Sequence, residues 1–96
     1  MSIVHSLQQA VIKSLSRLYN HDFSEKDFQI NLTKPEVEGD YTVVLFSLLN
    51  KTGKSPDALG QELGNDLIQN NAEIFNGFNI IKGFLNLSIA DEFWLG

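Results

Sequence analysis

The chain has 96 residues, seven Phe, no Cys and a formal net charge of −5. That length supports one small domain with one core, and the absence of Cys excludes disulfide and thiol chemistry. The acidic balance argues against tight, nonspecific nucleic-acid binding, and no stretch approaches the roughly 20 apolar residues of a membrane span.

Residues 3–19 read as a helix. Val4, Leu7, Val11, Leu15 and Leu18 recur at spacings of three and four, with Gln8, Gln9, Lys13 and Arg17 between them on the solvated side. Ser2 is the expected N-cap, and Asn20 stands near the C-terminal end. The N-terminus lacks the basic and apolar regions of a signal peptide, which together with the missing Cys leads to a cytoplasmic expectation. A polar loop follows. Its lone His21 reads as surface rather than catalytic.

Residues 28–32 alternate. Phe28, Ile30 and Leu32 point one way and Gln29 and Asn31 the other, the pattern of a half-buried strand that Pro35 ends. Glu36, Glu38 and Asp40 are spaced by two; a solvated acidic loop is expected there, since a hard-cation site needs about six oxygens in a defined geometry. Residues 40–44 favour a second strand, and Leu45, Phe46, Leu48 and Leu49 suit a short buried helix. Lys51-Thr52-Gly53-Lys54 reads as a turn and lacks the spacing of a phosphate loop.

Ser55-Pro56-Asp57 is a helix start: a cap, a Pro in the first turn and an acid beside it. Leu59, Leu63 and Leu67 give that helix its buried stripe to about Asn70, and Gly60 and Gly64 suit close packing on the sheet or another helix. Residues 78–81 and 84–89 read as a hairpin turning at Lys82-Gly83. In its second strand Leu85, Leu87 and Ile89 take the core face, leaving Phe84, Asn86 and Ser88 on the other. A ring beside a carboxamide on an open sheet face suits a nucleobase, because the ring can stack and the amide can both donate and accept. The plainer reading is that Phe84 covers the end of the sheet while Asn86 and Ser88 are wetted surface. In the tail, Phe93, Trp94 and Leu95 follow two acids and are expected to pack only partly, as in a piece cut from a longer protein.

The expected architecture is α+β: two layers, a four-stranded antiparallel sheet with helices on one face, in the order α-β-β-α(α)-β-β over residues 1–96.

Three stretches carry a resemblance: Glu38-Gly39-Asp40-Tyr41-Thr42, Ser55 to Leu63, and Lys82-Gly83-Phe84-Leu85-Asn86-Leu87. In that order they resemble the N-terminal additional domain of arginyl-tRNA synthetases. Many members continue the Gly-Asp-aromatic step with Asn-Val-Ala where this chain has Val43-Val44-Leu45, and many have Pro where Lys82 stands. The resemblance implies a module that contacts the D-loop at the outer corner of tRNA and precedes a catalytic domain in the same chain. It implies roles in tRNA binding for Phe84 and Asn86. Gly83, Lys82 and Ser88 lie beside them, and Lys51 and Lys54 are expected among the cations nearest the RNA. The parent enzyme would join arginine to its tRNA using ATP with magnesium. The His-Ile-Gly-His and Lys-Met-Ser-Lys-Ser signatures of that chemistry are absent here. The expectation for this stretch is therefore no catalytic residue, no metal and no cofactor. The alternative is a free-standing small α/β protein-interaction or regulatory domain.

Overall fold

In the computed structural model, which describes residues 3–95 without the side chains of Trp94 and Leu95, the elements follow in chain order. Helix α1 spans Ile3–Tyr19, strands β1 and β2 span Ile30–Leu32 and Tyr41–Val44, and helices α2 and α3 span Leu49–Thr52 and Pro56–Asn70. Strands β3 and β4 span Phe75–Ile81 and Phe84–Ile89, and a last turn of helix, α4, spans Asp91–Leu95. The expected cap at Ser2 and the packing of Trp94 and Leu95 lie outside the described residues. Phe93 packs partly against the core.

The sheet has four antiparallel strands in the order β1-β2-β4-β3, so the α+β expectation holds. Residues directly opposite one another across an antiparallel ladder share a face. Val43 faces Leu85, Tyr41 faces Leu87, Ile80 faces Leu85 and Phe78 faces Leu87, which puts one apolar row across three strands. Helix α3 lies over β3 and β4 and packs on α1. Its Leu59, Leu63 and Leu67 and the Leu7, Val11 and Leu15 of α1 are fully buried against that row. Ser55 accepts from Ala58 N–H and Pro56 opens α3, as the sequence implies.

Two expectations are corrected. Strand β1 is only three residues long, and Leu32, although it shares the core-side face with its partner Tyr41, is 74% exposed rather than buried. The reason is that β1 is an edge strand while α3 lies over β3 and β4. Phe28 is buried, but from the end of a 3-10 turn whose capping box joins Ser24 and Asp27. The segment after β2 is a 3-10 turn over Phe46–Leu48 that runs into α2. Leu45 and Leu48 are buried there, whereas Phe46 is 53% exposed and stands outside the core. Lys51 and Thr52, read as part of a turn, close α2, and Gly53 ends it at φ 69°.

Close packing of α3 on the sheet depends on its two glycines. A Cβ at Gly64 would sit 2.6–2.8 Å from three carbons of the Phe78 ring, and one at Gly60 would meet the Ile80 side chain at 2.9 Å. Overpacking costs about 1–3 kcal/mol, against a helix-propensity gain of about 1 kcal/mol for Gly→Ala. At Gly60 the nearest atom is the end of a flexible Ile80 side chain, whereas at Gly64 the contacts reach Cγ, the root of the Phe78 ring, and are closer. Gly64→Ala should therefore melt below the wild type while Gly60→Ala melts close to it.

Charge also ties α1 to α3. Arg17 pairs with Asp66 at 2.6 Å, and Tyr19 donates to Glu62 at 2.7 Å. Burial works to raise the Asp66 pKa, but hydrogen bonds from Arg17 and Ser14 and the Arg17 charge outweigh it and hold the carboxyl below its usual value. A depressed folded pKa contributes stability above the unfolded value, about 4, and loses it as pH falls through the folded one. Asp66→Asn should thus lower the melting temperature most at neutral pH. The gap to wild type should close as the pH falls below the usual carboxylate value of about 4, as followed by thermal melts at decreasing pH.

Candidate nucleic-acid interface

The face of the sheet away from the helices carries Asn31 on β1, Thr42 and Val44 on β2, Phe84, Asn86 and Ser88 on β4, and Asn79 and Ile81 on β3. No described helix covers it. The loop between β1 and β2 does so in part, and between loop and sheet runs a groove of about 300 Å³. Thr42, Phe84 and Asn86 line the middle of the sheet. Leu32, Thr33, Lys34, Glu36 and Val37 stand on the β1 side and Ile81 and Lys82 on the β3 side.

The hairpin turn sets the aromatic corner of this groove. Lys82 and Gly83 have φ of 48° and 84°, the paired positive values of the turn that matches strand twist. Phe46 closes over Gly83 so tightly that a Cβ there would run into its ring. The Phe46 and Phe84 rings meet edge to face at 5.9 Å. Phe84 is 39% exposed, so its ring is held from one side and open on another.

Asn86 departs from the reading of an open or wetted surface. It is only 3% exposed, and Ser88 is half-buried. The cause is the β1–β2 loop, whose Gly39, at φ 134°, passes so close that a Cβ would be 3.2 Å from Asn86 Cβ. Buried carboxamides need partners, and Asn86 has two: Thr42 Oγ1 donates to its Oδ1 at 2.6 Å, and its Nδ2 donates to Asn79 Oδ1 at 2.9 Å. Asp40 ties the same loop to β4, its N–H donating to Leu87 O and its carboxylate accepting from Ile89 N–H, both at 2.8 Å. With Asp40 so engaged, the acids of this loop form no cluster: among the described residues no group of three or more His, Cys, Asp or Glu is placed to hold a metal ion.

The cations divide. Lys51 donates to Asp22 O, pairs with Asp27 at 3.3 Å and lies over the Phe23 ring; Lys54 pairs with Glu62 at 3.2 Å. Neither lines the groove. Lys82 and Lys34 do, and among the described residues neither is in an ion pair. Sequence reasoning passed over Lys34, Phe46, Thr42 and Asn79. For Asn79 a signal existed: a two-residue turn at Lys82-Gly83 pairs 81 with 84 and hence 79 with 86.

The family model for the arginyl tRNA synthetase N terminal domain matches residues 5–89. The chain belongs to that family. It is 41% identical over 95 residues to the arginine–tRNA ligase of Bacteroides thetaiotaomicron and 37% identical to that of Phocaeicola vulgatus. Each match covers 99% of this chain and 16% of the relative, so the chain spans about a sixth of the length of these curated relatives. The arginyl-tRNA synthetase of Thermus thermophilus has a similar fold, with a TM-score of 0.77 over 98% of this chain and 15% of that one, at 24% identity.

In this chain the Gly83-Phe84-Leu85-Asn86 stretch thus presents a partly exposed ring and a buried amide held by two hydrogen bonds. The two should respond differently to truncation. Phe84→Ala should leave the melting temperature close to wild type. Asn86→Ala strands the Thr42 hydroxyl and the Asn79 carbonyl and should cost about 1–3 kcal/mol in denaturant unfolding.

Proposed function

We propose that this chain is the tRNA-recognition module of an arginine–tRNA ligase and that its open sheet face receives the D-loop at the outer corner of the tRNA. The observation that supports this most is the Phe84 ring, exposed at the mouth of a groove floored by Asn86, in a chain of this family. An unpaired base stacks on the ring and turns its edge toward the carboxamide. Joining arginine to tRNA with ATP and magnesium would fall to a catalytic domain beyond these residues, which here form one recognition domain.

In the longer enzyme Phe84→Ala should weaken the productive tRNA complex by about 1–3 kcal/mol, the worth of a base–aromatic stack. Arginine and ATP affinities should stay unchanged. Leu85→Ala is the contrast: it is fully buried, so it should cost about 2–5 kcal/mol of stability and depress every parameter together. Steady-state aminoacylation with tRNA varied, beside melts of each variant, separates the two. A Phe84→Ala enzyme with wild-type melting and unchanged kcat/KM for tRNA would count against the reading.

Charge sets the strength of the contact for the domain alone. Its net charge is −5, and Lys34 and Lys82 are the lysines lining the groove. Binding should be weak, with a slope of log K against log salt no steeper than about −1.5. Tight binding at physiological salt, or a steep slope, would show that other cations carry the contact.

The exposed apolar group of Phe46, Ile81 and Phe84 also fits a protein-interaction domain. An open reading frame that continues past Gly96 into a His-Ile-Gly-His signature speaks for the first reading, and one that stops there for the second.

A further inference from the structure

Five groups on the open face form one hydrogen-bonded chain, and its direction follows from one end. Glu38 O is a carbonyl and can only accept, so the atom that meets it from Asn79, at 2.7 Å, is Nδ2. The other end of that carboxamide, Oδ1, therefore faces Asn86, and the atom of Asn86 that meets it at 2.9 Å is Nδ2. Asn86 Oδ1 is left toward Thr42, whose hydroxyl donates to it at 2.6 Å. That hydroxyl has a single proton, now committed, so Thr33 Oγ1 donates to Thr42 at 2.9 Å. Among the described residues no buried side-chain polar atom is left without a partner.

The members of this chain are not equivalent. Rotating the Asn86 carboxamide by half a turn would present Nδ2 to Thr42, which a hydroxyl accepts as readily as it donates. On the other side the same rotation would set Oδ1 against Asn79 Oδ1, two acceptors 2.9 Å apart. Thr42 tolerates either orientation of Asn86; Asn79, pinned by the backbone of the β1–β2 loop, tolerates one.

We infer that Asn79 is a positioning residue for recognition in the groove: bonded to Glu38 O, it fixes which way round the Asn86 carboxamide sits, and so fixes the order of donor and acceptor that an unpaired nucleobase meets. The inference rests on the reading of the groove as a base-binding site. Asn86 keeps one N–H and one lone pair beyond those the chain uses, and their order across the groove floor is what tells one base edge from another. Asn79 itself is not among the groove-lining residues and acts through Asn86.

The test uses the 96-residue chain, two substitutions and two readouts. Asn79→Leu removes both hydrogen bonds at nearly constant size. Asn79→Asp gives up the bond to Glu38 O but still offers Asn86 only an acceptor, so it should preserve the orientation. In NMR spectra the Nδ2 protons of Asn86 should show contacts to β3 and not to Thr42 in the wild type and in Asn79→Asp, and contacts to both strands in Asn79→Leu. Titration at low salt with four RNA hairpins, differing only in one unpaired loop base (A, G, C or U), gives the affinity ratio between the best and worst base. That ratio should fall by roughly 3- to 10-fold in Asn79→Leu, the worth of one oriented hydrogen bond, and be restored in Asn79→Asp. A ratio unchanged in Asn79→Leu overturns the inference. So does an equal loss in both variants, since a merely structural residue would behave that way. A wild-type chain that binds none of the four hairpins overturns the reading of the groove instead, and with it the inference. If Asn79→Leu does not fold, Asn79→Ala carries the same comparison.

Discussion

A buried carboxamide on a central strand of a sheet cannot be left with unpaired polar atoms, since each would cost about 1–3 kcal/mol. Asn86 is such a group: it is on β4, flanked by β2 and β3, on the face that no described helix covers. Much of the open face follows from its needs. A side chain able to donate must stand opposite on β2, and Thr42 does. One able to accept must stand opposite on β3, and Asn79 does. The β1–β2 loop must come close enough to exclude water without touching the amide's Cβ, which only a residue without a side chain at φ 134° allows at Gly39. The same loop then finds two uses for Asp40, backbone and carboxylate, on β4. Two of the stretches that carry the resemblance, Glu38-Gly39-Asp40-Tyr41-Thr42 and Gly83-Phe84-Leu85-Asn86, are in this way one structural unit, although forty residues separate them.

The aromatic corner obeys a different constraint. Phe84 keeps part of its ring exposed, the part that the proposed stacking would use, and an exposed ring loses definition if nothing holds it. Phe46 supplies the hold from the turn after β2, edge to face, and Gly83 makes room for it. This explains a large apolar residue that the core does not need. Phe46 sits in a run of leucines and looks like one more core side chain, but the 3-10 turn rotates it outward while Leu45 and Leu48 go in.

What the sequence disclosed and what it hid follow from the same distinction. Period-two and helical patterns report which side of an element meets the core, so α1, α3, β2 and the hairpin were legible, as was the division of β4 into Leu85, Leu87 and Ile89 against Phe84, Asn86 and Ser88. Such patterns do not report what a loop does to the opposite face. The burial of Asn86 depends on the path of residues 33–40, and no periodicity encodes that path. Leu32 failed for a related reason: alternation shows a face, not whether a helix extends far enough to cover it. Gly64 was read as a close contact, and its partner, the Phe78 ring, became visible only with the register of β3.

The charge of the domain bears on what recognition here can consist of. Arg17, Lys51 and Lys54 are occupied by carboxylates of the domain itself, which leaves Lys34 and Lys82 beside the groove. A surface that gathers phosphates needs many unpaired cations, and this one has few. What the groove does hold is a ring fixed by its neighbour and an amide fixed by its hydrogen bonds, and both are oriented before any ligand arrives. Preorganised groups lose little freedom on binding, so even a small contact can discriminate. On the proposed reading such a groove suits a base better than a phosphate backbone, and most of the affinity for an RNA would have to come from surfaces outside these residues.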